Sequence, residues 1–195
     1  MRVLRAAEYK SMPWKNGGGV TTEIAVSPAD AGPDTFDWRV SMARVEGSGP
    51  FSSFAGIDRT LSVLEGEGII LDVAGEPPAC LTAASAPFSF PADRPTSAEL
   101  IAGPITDLNV MTRRGRMRHS VERLVMSNPL EIGIESRATL VLCLGGEVLV
   151  SAAEPIRLSH LDALLTASAT AGLRIKPIDH PTVFVVRIDG IRPND

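Results

Sequence analysis

Apolar and polar positions alternate with a period of two along much of the chain. Val20, Thr22, Ile24 and Val26 interleave with Thr21, Glu23 and Ala25, and Trp38, Val40 and Met42 interleave with Arg39, Ser41 and Ala43. Successive side chains of an extended strand point to opposite faces, so each run predicts a half-buried strand. Arg59 to Asp72 holds two β-rich runs separated by a turn containing Gly66-Glu67-Gly68, which predicts a hairpin. Thr139 to Val150 repeats that plan around Gly145-Gly146. Asp107, Asn109 and Met111 share one face of a further strand and Leu108 and Val110 the other, with nothing in the period to say which face is inward. Ser159 to Leu165 reads either as one turn of helix or as the step into another strand.

The similarity of the two halves extends beyond the hairpins. Leu100 to Arg113 closes one half and Ile175 to Ile188 the other, each a proline-containing bend followed by a strand, with Leu108-Asn-Val-Met-Thr matching Val183-Phe-Val-Val-Arg. This predicts an internal duplication of a small antiparallel β unit. Short strands punctuated by Gly and Pro favour a barrel or sandwich.

Composition sharpens the picture at three points. The chain has 195 residues, enough for one domain or two tightly joined halves. A net charge of −4 argues against a nucleic-acid or anionic-membrane partner, which would need a basic footprint. Cys80 and Cys143 form no Cys-x-x-Cys pair, and no segment has the uninterrupted apolar length of a signal core or membrane helix, so a soluble cytoplasmic protein is expected.

The candidate chemistry begins with absences. No histidine precedes His119, and His119, His160 and His180 stand in unrelated contexts, so no imidazole cluster for a metal is expected. No Gly-x-Ser-x-Gly elbow is present, and Gly17-Gly18-Gly19 is followed by a strand in place of the Lys-Ser or Lys-Thr of a phosphate loop. Glycines tolerate close backbone approach, so Met12 to Glu23 is read either as a flexible turn or as a device that places Lys15 and Asn16. Glu23 and Asp107, both on predicted strands, are candidate acid–base carboxylates. Met111 to His119 is the densest basic stretch; it reads as a solvated connection, apart from Arg113, which continues a strand and could turn inward.

Five ordered motifs then converge: Pro13-Trp-Lys-Asn-Gly-Gly-Gly-Val-Thr-Thr-Glu-Ile24, Trp38-Arg-Val-Ser41, Gly49-Pro-Phe-Ser-Ser-Phe-Ala-Gly56, Arg59 with Leu61 and Leu64, and Gly103-Pro-Ile-Thr-Asp-Leu-Asn-Val-Met-Thr-Arg113. Together they resemble the HutD/Ves family over most of the chain, with the sharp motifs in the first half. The resemblance implies an all-β bicupin, two antiparallel barrels of cupin (jelly-roll) type, here divided as 1–113 and 114–195 with some N-terminal strands exchanged between them. It implies a bacterial protein of histidine utilisation, or a stress role in the Ves branch. One departure is Phe88-Ser-Phe-Pro-Ala-Asp93, where Pro91 fixes φ and removes a donor in what is expected to be a loop.

On this reading the chain is a metal-free, cofactor-free, non-enzymatic regulator that binds a small anion such as urocanate or a formylated glutamate derivative. Lys15, Asn16, Gly17, Arg39, Arg59 and Arg113 would supply donors, because guanidinium forks and ammonium groups suit carboxylates. Glu23, Asp107 and Asn109 would read polar groups of the ligand. The alternative is a metal-independent isomerase or hydrolase with Glu23 or Asp107 as base. A protein-interaction role for Arg113 to Arg118 is a third reading, and the sequence allows a homodimer.

Overall fold

The computed structural model describes residues 1–14, 17–167 and 172–191. The chain opens with β1 (Arg2–Leu4), a 3-10 turn over Ala6–Glu8, and β2 (Lys10–Pro13). There follow β3 (Gly19–Ser27), β4 (Trp38–Val45), β5 (Gly49–Pro50), β6 (Ile57–Glu65), β7 (Ile69–Val73), β8 (Ala79–Leu81), β9 (Phe88–Pro91), β10 (Thr96–Leu100) and β11 (Ile105–Arg113). The second half contains β12 (Met117–Val125), β13 (Leu130–Ile132), β14 (Ala138–Leu144), β15 (Val148–Val150), β16 (Ile156–Leu158), β17 (Ala163–Ala167), β18 (Leu173–Pro177) and β19 (Thr182–Gly190). Ser159 to Leu165 is therefore the step into a strand and not a helix. No helix among the described residues is long and apolar enough to cross a membrane.

Two compact units result, one of Lys10–Arg118 and one of Met1–Tyr9 with His119–Asp195. In the unit 10–118, β2-β3-β4-β11-β6-β9 form a six-stranded sheet and β5-β10-β7-β8 a four-stranded one. In the other unit the sheets are β1-β17-β14-β19-β12 and β13-β18-β15-β16. The order β4-β11-β6-β9 recurs as β12-β19-β14-β17, and β5-β10-β7-β8 recurs as β13-β18-β15-β16, so eight strands of each unit are duplicated, with β2 and β3 in one unit and β1 in the other added at the edges. Each unit consists of two open sheets facing each other, the jelly-roll arrangement, because the ladders stop at their edge strands instead of closing into the expected barrels.

Arg2 to Leu4 pair with Leu165 to Ala163, so this N-terminal segment joins the later half. The structure differs from the sequence reading in two places. The matched strands β11 and β19 do correspond, but their side chains are offset by one. Asp107 pairs with Val63, and Val183 pairs with Cys143, so Asp107 is the counterpart of Val183 and Asn109 that of Val185. A bulge on β6, where the register shifts between Thr106 and Asp107, accounts for the offset. Lastly, Phe88 to Pro91 is not a loop but the edge strand β9, paired to β6 with Pro91 opposite Asp58. An edge position at the end of a strand is where proline's missing donor does no harm.

The interior of the unit 10–118 is built from Ala43, Val45, Leu61, Val63, Ile69 and Leu71 with their neighbours. A smaller cluster of Phe36, Ile57, Ala92 and Met111 lies at the other end of the same strand faces. Residues Asp107 and Asn109 share a face with Ile105 and Met111, which belong to these two clusters. The polar set of β11 therefore points inward, the orientation that the alternation alone left open.

Candidate functional site

Ladder pairing brings the polar residues into adjacent rows on the inward face of the six-stranded sheet. One row runs Glu23, Ser41, Asn109, Leu61, and the next runs Thr21, Ala43, Asp107, Val63. A third places Arg39 opposite Met111 and Met111 opposite Arg59. Directly opposite residues project to the same side, so Arg39 and Arg59 stand two strand spacings apart, about 10 Å.

The centre of the array is a chain of hydrogen bonds. Arg59 donates through Nε to Asn109 Oδ1 at 2.7 Å and also through Nη2 to the same oxygen. Asn109 then donates through Nδ2 to Asp107 Oδ1. Asp107 is 0% exposed and Arg59 7%. The guanidinium lies over the rings of Phe51 and Phe90, 4.6 and 5.6 Å from their centroids, which fixes its plane through cation–π contact. One buried atom in this network has no hydrogen-bond partner among the described residues, Oδ2 of Asp107. A buried polar atom without a partner costs on the order of 1–3 kcal/mol.

Burial shapes the acid–base properties of both charges. It pushes the Asp107 carboxyl up to about 6, while Arg59 and the hydrogen bond from Asn109 pull in the opposite direction. It also lowers Arg59 to about 10, with Asp107 opposing the shift. Toward solvent the array continues in an ion pair, Arg39 Nε to Glu23 Oε2 at 2.8 Å, whose side chains are 11% and 21% exposed.

The glycine run supports the rim of this face. Trp14 N donates to Gly19 O, Gly17 N donates to Trp14 O, and Gly17 has φ +71°. A Cβ on Gly19 would lie 2.3 Å from Arg44 O and 3.1 Å from the Trp14 ring, so only glycine lets β3 approach β4 here. The indole Nε1 of Trp14 donates to Thr21 Oγ1 at 2.7 Å.

Of the residues expected from the sequence, Glu23, Arg39, Arg59, Asp107 and Asn109 are brought together on one face. Gly17 is exposed in the turn, and Lys15 and Asn16 lie outside the described residues. Arg113 is engaged elsewhere: it donates through Nε to Phe36 O and through Nη2 to Asp34 O, and so fastens the loop before β4. Next to it, Arg114 bridges Asp58 and Asp93, and Arg116 approaches Asp37, so this basic stretch is a neutralised turn between β11 and β12. Sequence reasoning missed Ser41, Phe51 and Phe90 as members of the site. Their signal was present, since Ser41 shares the parity of Arg39 and the phenylalanines belong to the stretches around Gly49–Gly56 and Phe88–Asp93.

The second unit serves as an internal comparison. At the counterparts of Arg59, Asp107 and Asn109 it carries Thr139, Val183 and Val185, and both valines join its apolar core. The fold can therefore be packed without the charged network. Among the described residues no group of three or more His, Cys, Asp or Glu side chains is placed to hold a metal ion.

Comparison with known proteins bears on both fold and family. A curated relative, an uncharacterised 21.2 kDa protein in the hutC 3' region of Pseudomonas putida, is 43% identical over 118 residues, which is 60% of this chain and 61% of that protein. Protein Ves of Citrobacter koseri is 38% identical over 120 residues, 58% of this chain and 60% of the relative. The matches thus span about three-fifths of those curated relatives. Among solved structures, HutD from Pseudomonas fluorescens SBW25 superposes with a TM-score of 0.85 at 32% identity, covering 98% of this chain and 99% of that one. A cupin 2 conserved barrel protein from Leptotrichia buccalis, at 10% identity and a TM-score of 0.57, shares the fold alone. The HutD family model matches residues 6–181, and the chain belongs to the HutD family.

Proposed function

We propose that the protein is a non-enzymatic regulator that binds a small anionic intermediate inside the unit 10–118, with one ligand carboxylate on Arg59. Membership of the HutD family links the chain to histidine utilisation. Urocanate and formylated or formiminated glutamate are intermediates of suitable charge, and the cytoplasm is where they would be met. The observation that carries the reading is the buried guanidinium of Arg59, lying over the rings of Phe51 and Phe90 and held through Nε and Nη2 by Asn109. An arginine held flat in a desolvated setting is a strong carboxylate receptor, because its donors are pre-aligned and poorly screened. The replacement of the whole network by Thr139, Val183 and Val185 in the second unit supports a ligand role for it over a packing role.

Titration calorimetry with urocanate, formiminoglutamate and formylglutamate tests the proposal. Heat of binding with at least one compound, lost in Arg59→Met, is the expected result; no heat from any of them with folded protein would refute it. One feature keeps an enzymatic alternative in play: Asp107, raised to about 6 with an unpartnered oxygen, has the character of a general base. Proton NMR of the same mixtures separates the two, since a binder leaves the compounds chemically unchanged over hours and an isomerase or hydrolase does not.

A further inference from the structure

Before any ligand enters, the charges next to Arg59 and Asp107 are paired among the described residues, and Arg113, farther along the same face of β11, is turned to the carbonyls of Phe36 and Asp34. Arg59 of β6 faces Asp107 of β11 through Asn109, and Arg39 of β4 is paired with Glu23 of β3. The other side chains around this face that the array involves, Thr21, Ser41, Phe51 and Phe90, are uncharged. A carboxylate placed on Arg59 therefore adds a second negative charge to a network that already holds Asp107, in surroundings where an uncompensated charge is costly. The hydrogen-bonded chain from Arg59 through Asn109 ends in one carboxylate whose second oxygen has no partner, Oδ2 of Asp107, in a residue with no exposed surface.

We propose that Asp107 is the specificity-determining residue of this site: it takes up one proton from solvent when a carboxylate binds at Arg59, and its Oδ2–H then donates to the bound carboxylate. The site thus admits its ligand as anion plus proton, restoring charge balance and filling the vacant hydrogen-bonding capacity of Oδ2. No bond within the ligand is made or broken. The inference rests on the reading that Arg59 receives the ligand. It agrees with the acidity of the free protein, in which burial already pushes Asp107 up to about 6 against the pull of Arg59 and Asn109. A second carboxylate close by moves it further in the same direction.

The sign of the pH dependence follows. Below about 6 Asp107 is already protonated in the free protein, so binding takes up little and affinity is flat. Above that, each binding event must capture a proton, and affinity falls by up to about tenfold per pH unit. A simple carboxylate ligand stays ionised throughout this range and contributes no slope of its own.

The test is calorimetry with formylglutamate from pH 5.5 to 8.5, repeated at pH 7.5 in HEPES and in Tris, whose ionisation enthalpies differ, for wild type and Asp107→Asn. For wild type the expected result is uptake of close to one proton at pH 7.5 and an affinity loss of about 75-fold between pH 6.5 and 8.5. Asp107→Asn, which keeps a donor without a titrating proton, is expected to bind with no uptake and little pH dependence. Wild-type binding without proton uptake would overturn the proposal and leave the carboxylate-receptor reading standing. Loss of binding by a folded Asp107→Asn would overturn it too, assigning Asp107 as acceptor from a ligand donor. No binding at any pH would remove both this inference and the reading beneath it. If Asp107→Asn does not fold, the two-buffer comparison on wild type decides alone.

Discussion

At the scale of single residues, Arg59 occupies a strand position whose counterpart in the second unit is Thr139, and its inward direction exposes it to a cost that only its partners relieve. Arg59→Met should abolish carboxylate binding and leave Asp107 as an unpaired buried carboxylate. Breaking a buried pair from one side costs on the order of 3–5 kcal/mol. Without the guanidinium, Asp107 in the folded protein titrates higher still, above its unfolded value. Its protonated form then sustains the fold at low pH, and that contribution is lost as pH rises through the folded value. Urea unfolding at pH 5 and pH 8 checks this: the deficit of Arg59→Met against wild type should be larger at pH 8, and equal deficits would contradict it. The sequence made Arg59, Asp107 and Asn109 visible as charged or amide residues at strand parity, but parity does not say which face is inside. That choice depends on what packs against the strand, here Leu61, Val63 and Ile105. Arg113 shows the converse, since it shares the parity of the site residues and yet lies where the loop carbonyls of Asp34 and Phe36 capture it.

At the scale of elements, the glycine run that stands out in the sequence is explained at Gly19 by backbone approach. Gly19→Ala forces a Cβ against Arg44 O and the Trp14 ring, so β3 and β4 must part. A loss of about 1–3 kcal/mol is expected in urea unfolding, the usual range for overpacking. Gly47→Ala, with nothing within 4 Å of its added Cβ, should stay within about 0.5 kcal/mol of wild type. Equal effects at the two positions would contradict the close-approach argument. The strands themselves were legible from alternation because each half-buried strand obeys the period of two. Strand β9 was not, because proline in Phe88 to Pro91 signals a loop unless the strand is known to lie at an edge.

At the scale of the whole molecule, the duplication was legible from hairpins and closing strands, and an exchange of N-terminal strands from the family resemblance, whereas the partner of the first strand was not. That strand joins the second unit from the opposite end of the chain, and no local pattern announces a pairing between Arg2 and Leu165. The attachment is specific: Asp162 accepts hydrogen bonds from Arg5 Nη1 at 2.7 Å and from the Ala6 and Ser159 amides, and Tyr9 donates to Leu161 O. Burial alone would raise the Asp162 carboxyl, but the Ala6 amide, Arg5 and the Ser159 amide outweigh it and hold the group below the ordinary range. Its stabilising contribution is therefore present above the unfolded carboxylate range and lost as pH falls through the folded value. Asp162→Ala should loosen the N-terminal segment, seen in hydrogen exchange as lost protection in β1 and β17 with β11 unaffected. Uniform loss across both units would contradict that local role.

The account's central claim is that a small carboxylate is received by Arg59 inside the unit 10–118. A crystal structure of the protein with formylglutamate tests it most directly. The expected result is a ligand carboxylate within hydrogen-bond distance of the Arg59 guanidinium, bordered by Phe51 and Phe90, with no ligand among Thr139, Val183 and Val185 of the second unit. Ligand bound away from Arg59, or bound unchanged in crystals of Arg59→Met, would contradict it.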